Sequence, residues 1–188
     1  CLLGTQLLAK GHDFPNVTLV VILHLEDALY LPDFRAGERT FQLLLQAMGR
    51  AGRGSSPGQV VLQSFIQNHP VVQFALNHDV NGFMERELKL RSLAWNPPYC
   101  RQILFEIRNK IKDKSIELSH LLRKRLIDFW KQQGILNTQI RVVGPFPAII
   151  ERLSNEYRMQ ICVNFSRSLH PKRIVSKNIL EQNEFSKF

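Results

Sequence analysis

The sequence predicts an α/β chain, a parallel sheet with helices followed by a small α+β C-terminal domain. Three observations carry this. "VTLVVIL" (Val17–Leu23) is β-branched and continuous, the pattern of a parallel strand buried on both faces, which requires helices packed over it. A helical stretch separates it from a second strand-like run, "QVVLQSF" (Gln59–Phe65), so strand, helix and strand alternate. Beyond "NPP" (Asn96–Pro98) the order becomes strand, helix, strand, strand.

Between the first two strands, Phe41, Leu44, Leu45 and Met48 recur at three and four residues, which predicts an amphipathic helix over Arg35–Ala47. "GSSPG" (Gly54–Gly58) stops it. "NHP" (Asn68–Pro70) offers an N-cap and a helix-starting proline, and helical spacing then continues from Val71 to about Leu93. Proline biases its predecessor out of helical geometry, so a domain boundary is placed at "NPP", dividing the chain into residues 1–95 and 96–188. In the second part "YCRQILFEIR" (Tyr99–Arg108) alternates like a strand. Lys112–Gln133 is a basic amphipathic helix carrying Leu118, Leu122, Leu126, Phe129 and Trp130. "IRVVGPFPAIIERL" and "EYRMQICVNF" supply two more strands around a glycine-proline turn. Trp95 and Trp130 are expected in the core, and Arg123–Arg125 on a solvated helix face.

The apolar runs fall far short of the ~20 residues a membrane-spanning helix needs. The first residue is Cys1, with no basic region leading into an apolar stretch, so no secretory signal is read and the chain is expected to be a piece that starts inside a longer cytoplasmic protein. Without its flanking strands, "VTLVVIL" is expected to leave an apolar edge and to lower solubility. Cys1, Cys100 and Cys162 lack paired spacing, which fits a reducing compartment and argues against a metal held by them. Charge is unevenly divided. Residues 1–68 hold five basic and five acidic side chains, so the whole net charge of +9 belongs to residues 69–188, where a polyanionic partner is the natural reading.

Two clusters carry chemistry. In "GTQLLAKGHDFPNVTLVV", Gly4, Thr5 and Gln6 offer small, hydroxyl and amide groups to phosphate oxygens, and Lys10, Gly11, His12 and Asp13 form a polar loop before the strand. A surface loop with a glycine turn has the same composition. In "QAMGRAGRG" (Gln46–Gly54), Arg50 and Arg53 lie three residues apart, a spacing at which like charges repel on a helix unless an anion lies between them. Their planar forks suit phosphate, and Gly49, Gly52 and Gly54 let backbone approach it. A glycine-rich helix terminus with solvated arginines is the alternative.

Taken together and in this order, the clusters resemble motifs V and VI of superfamily 2 helicases. "GTQLLAKGHDFPNVTLVVIL", "LPDFRAGERTFQLLLQAMGRAGRGSSPGQVVLQS" and "ERELKLRSLAWNPPYCR" resemble more closely the C-terminal third of the primosomal protein N′ family, bacterial replication-restart DNA helicases. The match is specific over about Leu2–Arg101 and looser to about Phe165. The resemblance implies a partial RecA-like lobe 2 in residues 1–95 and a DNA- and partner-binding domain after it. It implies that Arg50 and Arg53 face the γ-phosphate of ATP bound between two lobes, one serving as an arginine finger, with Gln46 at the same interface and Asp13 near the ribose. Thr5 and Gln6 would touch the DNA backbone, with Lys10 near it. It also implies motion along single-stranded DNA with 3′ to 5′ polarity, Mg²⁺ alongside ATP, and Zn²⁺ on cysteines that precede motif V in the family.

No glycine is followed by lysine, so no G-x-x-x-x-G-K-[ST] cradle is present, and Glu26 and Asp27 do not make a magnesium site after a strand; this piece alone is expected not to hydrolyse ATP. The family's C-terminal domain contacts branched DNA, the acidic tail of single-strand-binding protein, and other primosome proteins. "EYRMQ" lies where members carry R-[FY]-R-[WY]-Q; Arg158 and Gln160 match, while Glu156 replaces the first arginine with a charge repulsive to an acidic tail. "NILEQNEFSKF" departs from the D-V-D-P-like strand that usually closes the family. The rival reading is a nucleic-acid-binding module without motor activity, its Gly/Arg cluster contacting phosphate.

Overall fold

A computed structural model describes residue 4 and residues 17–51, 58–135 and 139–170. The chain divides into two compact units, Cys1–Leu90 and Arg91–Phe188.

In the first unit, β1 (Leu19–Ile22) pairs in parallel with β2 (Gln59–Leu62), Leu19 opposite Gln59 and Ile22 opposite Leu62. Between them come α1 (Leu25–Leu29) and α2 (Ala36–Met48), the crossover that a parallel pair requires. The buried stripe of α2 is Ala36, Thr40, Phe41, Leu44 and Ala47, one face of a 3.6-residue period. Phe41 stacks on Phe83 with centroids 3.9 Å apart, and Phe74 meets Phe83 edge-on at 6.5 Å. Phe41 and Phe83 are buried and each contributes roughly 1.5–3 kcal/mol, while Phe74 is partly buried. Glu26 ties α1 to the end of β2: its carboxylate accepts from Ser64 Oγ at 2.8 Å and from the Phe65 backbone N–H.

Two expectations are corrected here. The run Val17–Leu23 is not a strand buried on both faces. Only Val20 and Ile22 turn inward, while Leu19 and Val21 are 54% and 50% exposed, because the helices of the described residues cover one side of a two-stranded sheet. Helical spacing from Val71 to Leu93 hides a break. α3 (Pro70–Leu76) ends at Asn77, His78 takes a left-handed φ of 50°, and Asp79 Oδ1 accepts from Gly82 N at 2.9 Å to start α4 (Val80–Ala94). Within the NHP stretch, His69 caps α3: its Nδ1 accepts from Val71 N at 3.2 Å. Burial lowers the His69 pKa, keeping that nitrogen available as an acceptor, and nearby Arg86 acts in the same direction.

The second unit holds β3 (Arg101–Asn109), α5 (Lys112–Gln132), β4 (Ile140–Leu153) and β5 (Glu156–Phe165) in an antiparallel sheet of order β3-β5-β4. α5 lies on one face of the sheet. Trp130, Leu126 and Leu122 meet Ile107, Ile161 and Val163, all buried. Ser115 and Ser119 lie wholly buried on the same stripe, returning their hydroxyl protons to Lys112 O and Ile116 O at 2.7 and 2.6 Å. Trp130 is core as expected; Trp95 is only half-buried, beneath the Arg141 guanidinium at 5.1 Å. Arg123 and Arg125 are half-buried rather than fully solvated, because the aliphatic stems of such side chains cover apolar surface.

The glycine-proline pair is not the turn between the last two strands. Gly144 lies inside β4 at φ 102°, where a side chain would meet Gln160 O at 2.8 Å, and pairing shifts register between Val143 and Phe146. The turn is Ser154–Asn155, both with positive φ, as a two-residue hairpin requires.

Candidate functional sites

The first site is built by α2 and the ends of the parallel strands. Glu38, Gln42, Gln46 and Arg50 recur every four residues, opposite the buried stripe, with Gln42 Nε2 donating to Glu38 Oε1 at 3.3 Å. Gln46 is exposed and Arg50 half-buried. The helix closes through Gly49 N to Leu45 O at 2.9 Å and Arg50 N to Ala47 O at 3.2 Å, so Arg50 is held one turn beyond Gln46. A helix C-terminus presents carbonyls and negative dipole, so an anion meeting this end depends on side-chain donors. Parallel pairing brings the start of β2 against the start of β1: Gln59 N donates to Thr18 O at 2.8 Å. The strand that follows the second cluster in sequence therefore starts beside the strand into which the first cluster leads. Thr5, Gln6, Lys10, Asp13 and Arg53 lie outside the described residues.

The second site is on the face of the antiparallel sheet opposite α5. Strand alternation turns Ile107, Met159 and Ile161 toward the helix and Glu106, Arg108, Arg158 and Gln160 away from it. Register sets Glu106 opposite Gln160 and Arg108 opposite Arg158. The Glu106 carboxylate accepts Arg158 Nη2 at 2.6 Å and Gln160 Nε2 at 3.0 Å on Oε2, and Arg108 Nε at 2.7 Å on Oε1. The Glu106 and Arg158 side chains are 20% and 17% exposed. The Arg158 hydrogen bond first, then those of Gln160 and Arg108, hold the Glu106 carboxyl down at about 2, outweighing the opposite pull of burial.

A pH dependence follows with a definite sign. A folded-state pKa below the unfolded value adds stability above pH 4.5 that is lost as pH falls toward 2. For a partly exposed pair this amounts to about 1 kcal/mol. Urea unfolding at pH 5 and pH 3 is expected to show a smaller loss of stability for Glu106→Gln than for the unmodified chain; an equal loss would contradict the assignment.

Farther along the same face, buried Asn164 fixes the segment before β3. Its Nδ2 donates to Trp95 O at 2.9 Å and Asn96 Oδ1 at 3.3 Å, and its Oδ1 accepts from Gln102 Nε2 at 2.8 Å. Burial raises the thiol pKa of Cys100 and of Cys162, so neither is an activated nucleophile. Among the described residues no cluster of three or more His, Cys, Asp or Glu could hold a metal, and no helix is long and apolar enough to cross a membrane.

Sequence reasoning identified Arg158 and Gln160 but missed Glu106 and Arg108, which join them. The alternation in "QILFEIR" marks Glu106 and Arg108 as sharing a face; only the pairing register brings that face to Arg158.

Residues 1–55 match the helicase conserved C-terminal domain, and residues 93–182 match the primosomal protein N C-terminal domain. Among curated proteins, the chain is similar to Replication restart protein PriA of Haemophilus influenzae, 36% identical over 181 residues, covering 96% of this chain and 23% of the relative. The protein of that name in Bacillus subtilis is 36% identical over 180 residues, covering 96% and 22%. That of Chlamydia pneumoniae is 42% identical over 166 residues, covering 86% and 21%. The chain thus spans less than a quarter of the length of these relatives.

Proposed function

The chain belongs to the PriA family of replication restart proteins, and from that premise we propose that it is the C-terminal portion of an ATP-dependent 3′–5′ DNA helicase acting in primosome assembly and restart of stalled forks. Residues 1–95 are the rear of a RecA-like lobe 2; residues 96–188 are a basic domain that contacts forked and single-stranded DNA, single-strand-binding protein and other primosome proteins in the cytoplasm.

The observation that supports this best is the pairing of the two strand starts. The polar stripe of α2 carries Gln46 and ends at Arg50, the first arginine of the R-x-x-R segment, and the Thr18–Gln59 hydrogen bond joins the strand that follows this segment in sequence to the strand into which the G-T-Q cluster leads. A nucleotide gripped on one side and DNA on the other would then be coupled through one short piece of sheet. In this reading Arg50 and Arg53 meet the γ-phosphate of ATP, Gln46 and Asp13 contact the nucleotide, and Thr5, Gln6 and Lys10 hold the DNA backbone. The donor set fits an anion: guanidinium and amide groups with no carboxylate among them except Asp13, whose place is the ribose. Bound Mg²⁺ would neutralise charge on the transferring phosphoryl group. This chain contributes donors rather than metal ligands, so ATP and Mg²⁺ are held mainly by a second lobe. Zn²⁺ belongs to other parts of the intact protein.

The test is strand displacement by a full-length protein carrying this segment, on duplexes with a single-stranded tail of one polarity. Unwinding that needs hydrolysable ATP and a 3′-side loading strand supports the reading. DNA binding without ATP-dependent displacement would favour a non-motor nucleic-acid-binding module, for which the net charge of +9 alone suffices.

A further inference from the structure

Positive charge in the second unit is gathered at one end of its fold. Arg101 and Ile140 both pair with Phe165, so β3 and β4 begin where β5 ends. α5 runs from the end of β3 back toward the start of β4, and Trp130 in its last turn shares a core with Ile135, Ile140, Phe165 and Leu169. That end carries Arg101, Arg141 and Arg167. The C-terminal half of α5 adds Arg123, Lys124, Arg125 and Lys131, with Asp128 as the one carboxylate there among the described residues. The opposite end, where α5 starts and the Ser154–Asn155 hairpin turns, holds Glu106, Asp113, Glu117, Glu151 and Glu156 against six basic residues. Seven cations to one carboxylate make a net +6 at the first end; the hairpin end has +1. We propose that the end of the domain where α5 finishes is a docking surface for the phosphodiester backbone of DNA, and that the hairpin end is not.

The two ends also differ in what their cations meet. At the hairpin end Glu106 pairs with Arg108 and Arg158, and Glu151 with Lys112. Arg101, Lys124, Lys131 and Arg167 are exposed and form no salt bridge among the described residues. Unmatched like charges repel one another across their end, and a polyanion relieves that repulsion while releasing its own condensed counterions. The cations come from β3, α5, β4 and the segment after β5, spread over the surface instead of converging on one point. Such a spread suits a repeating charge better than a single carboxylate. Contacts of this kind position a nucleic acid without reading its bases. The inference rests on reading residues 96–188 as a DNA-contacting domain and adds where on it the contact lies.

The experiment is fluorescence anisotropy with the 188-residue chain, titrated over a range of salt concentrations against a labelled duplex oligonucleotide and, separately, labelled poly-glutamate. Lys124→Gln, Lys131→Gln and Arg167→Gln combined are expected to weaken duplex binding at least ~10-fold and to lower the steepness of its salt dependence by about 2 logarithmic units per unit of log salt. Lys110→Gln, Lys114→Gln and Arg152→Gln combined remove the same charge from the hairpin end and are expected to change duplex affinity less than ~2-fold. All six side chains are exposed, so both triple variants are expected to keep the circular dichroism spectrum and urea midpoint of the unmodified chain. Equal losses in the two variants would mean that binding follows net charge wherever it lies, and would overturn the proposal while leaving the DNA-contacting reading of the domain standing. Absence of duplex binding by the unmodified chain would overturn both. Poly-glutamate bound as tightly as the duplex, and lost with the first triple variant, would assign this end to an acidic protein and overturn the proposal.

Discussion

Arg53→Ala, made in a full-length protein carrying this segment, is expected to lower ATP turnover by about 10³-fold or more while leaving single-stranded DNA affinity nearly unchanged. The magnitude comes from what a finger does. A guanidinium aimed at the equatorial oxygens of the transferring phosphoryl group stabilises charge that develops only in the transition state, an effect worth roughly 10³ to 10⁵ in rate. In the proposed reading DNA affinity is carried elsewhere, by Thr5, Gln6, Lys10 and the basic second domain. Arg53→Lys is expected to recover little, since a point charge on a flexible stem does not reproduce a planar fork. Steady-state ATPase assays at saturating DNA, with DNA binding measured on the same samples, make the check. A variant that hydrolyses ATP normally but binds DNA weakly would transfer Arg53 from the nucleotide to the nucleic acid.

The largest stability effect is expected at Trp130→Ala. The indole is fully buried in the last turn of α5, within the same core as Leu122, Leu126, Met159 and Ile161. Removing so large a buried side chain leaves a cavity that a three-stranded sheet and one helix cannot collapse to fill, at a cost of about 3–5 kcal/mol. Domains are stable by only about 5–15 kcal/mol in all, so the second unit is expected to be largely unfolded at modest urea concentrations. Equilibrium urea unfolding followed by circular dichroism would show it. Trp95→Ala is the comparison: that ring is half-buried under Arg141, and a cation–π contact of this exposure contributes about 0.5–1 kcal/mol. Equal effects of the two substitutions would contradict the placement of the core.

What the sequence made legible was periodic. α2 and α5 lie where the spacing of Phe41, Leu44, Leu122 and Leu126 places them, and the strand, helix, strand, strand order of the second unit is as expected. Less legible were features that depend on neighbours. The run "VTLVVIL" reads as buried on both sides because hydrophobicity reports what a strand tolerates; which face is covered depends on the elements around it. The break at Asn77–Asp79 is written in turn chemistry, Asp79 capping Gly82, and is masked by apolar spacing that continues across it. Gly144–Pro145 reads as a turn because both residues favour one, yet β5 holds it as an irregularity within β4, while the hairpin turn falls to Ser154–Asn155. Of the candidate site residues, Arg50 was singled out by its spacing from Arg53, and Gln46 by the family resemblance. Glu106 was not, since an acidic residue in an alternating strand looks like an ordinary solvated position until pairing sets it against Arg158.

The account depends most on Arg50 and Arg53 serving a triphosphate. A structure of a full-length protein carrying this segment, with a non-hydrolysable ATP analogue bound, measures that directly. At least one of the two guanidinium groups is expected within about 3 Å of a γ-phosphoryl oxygen. Both groups turned to solvent, each farther than one water's width from any phosphoryl oxygen, would contradict the account.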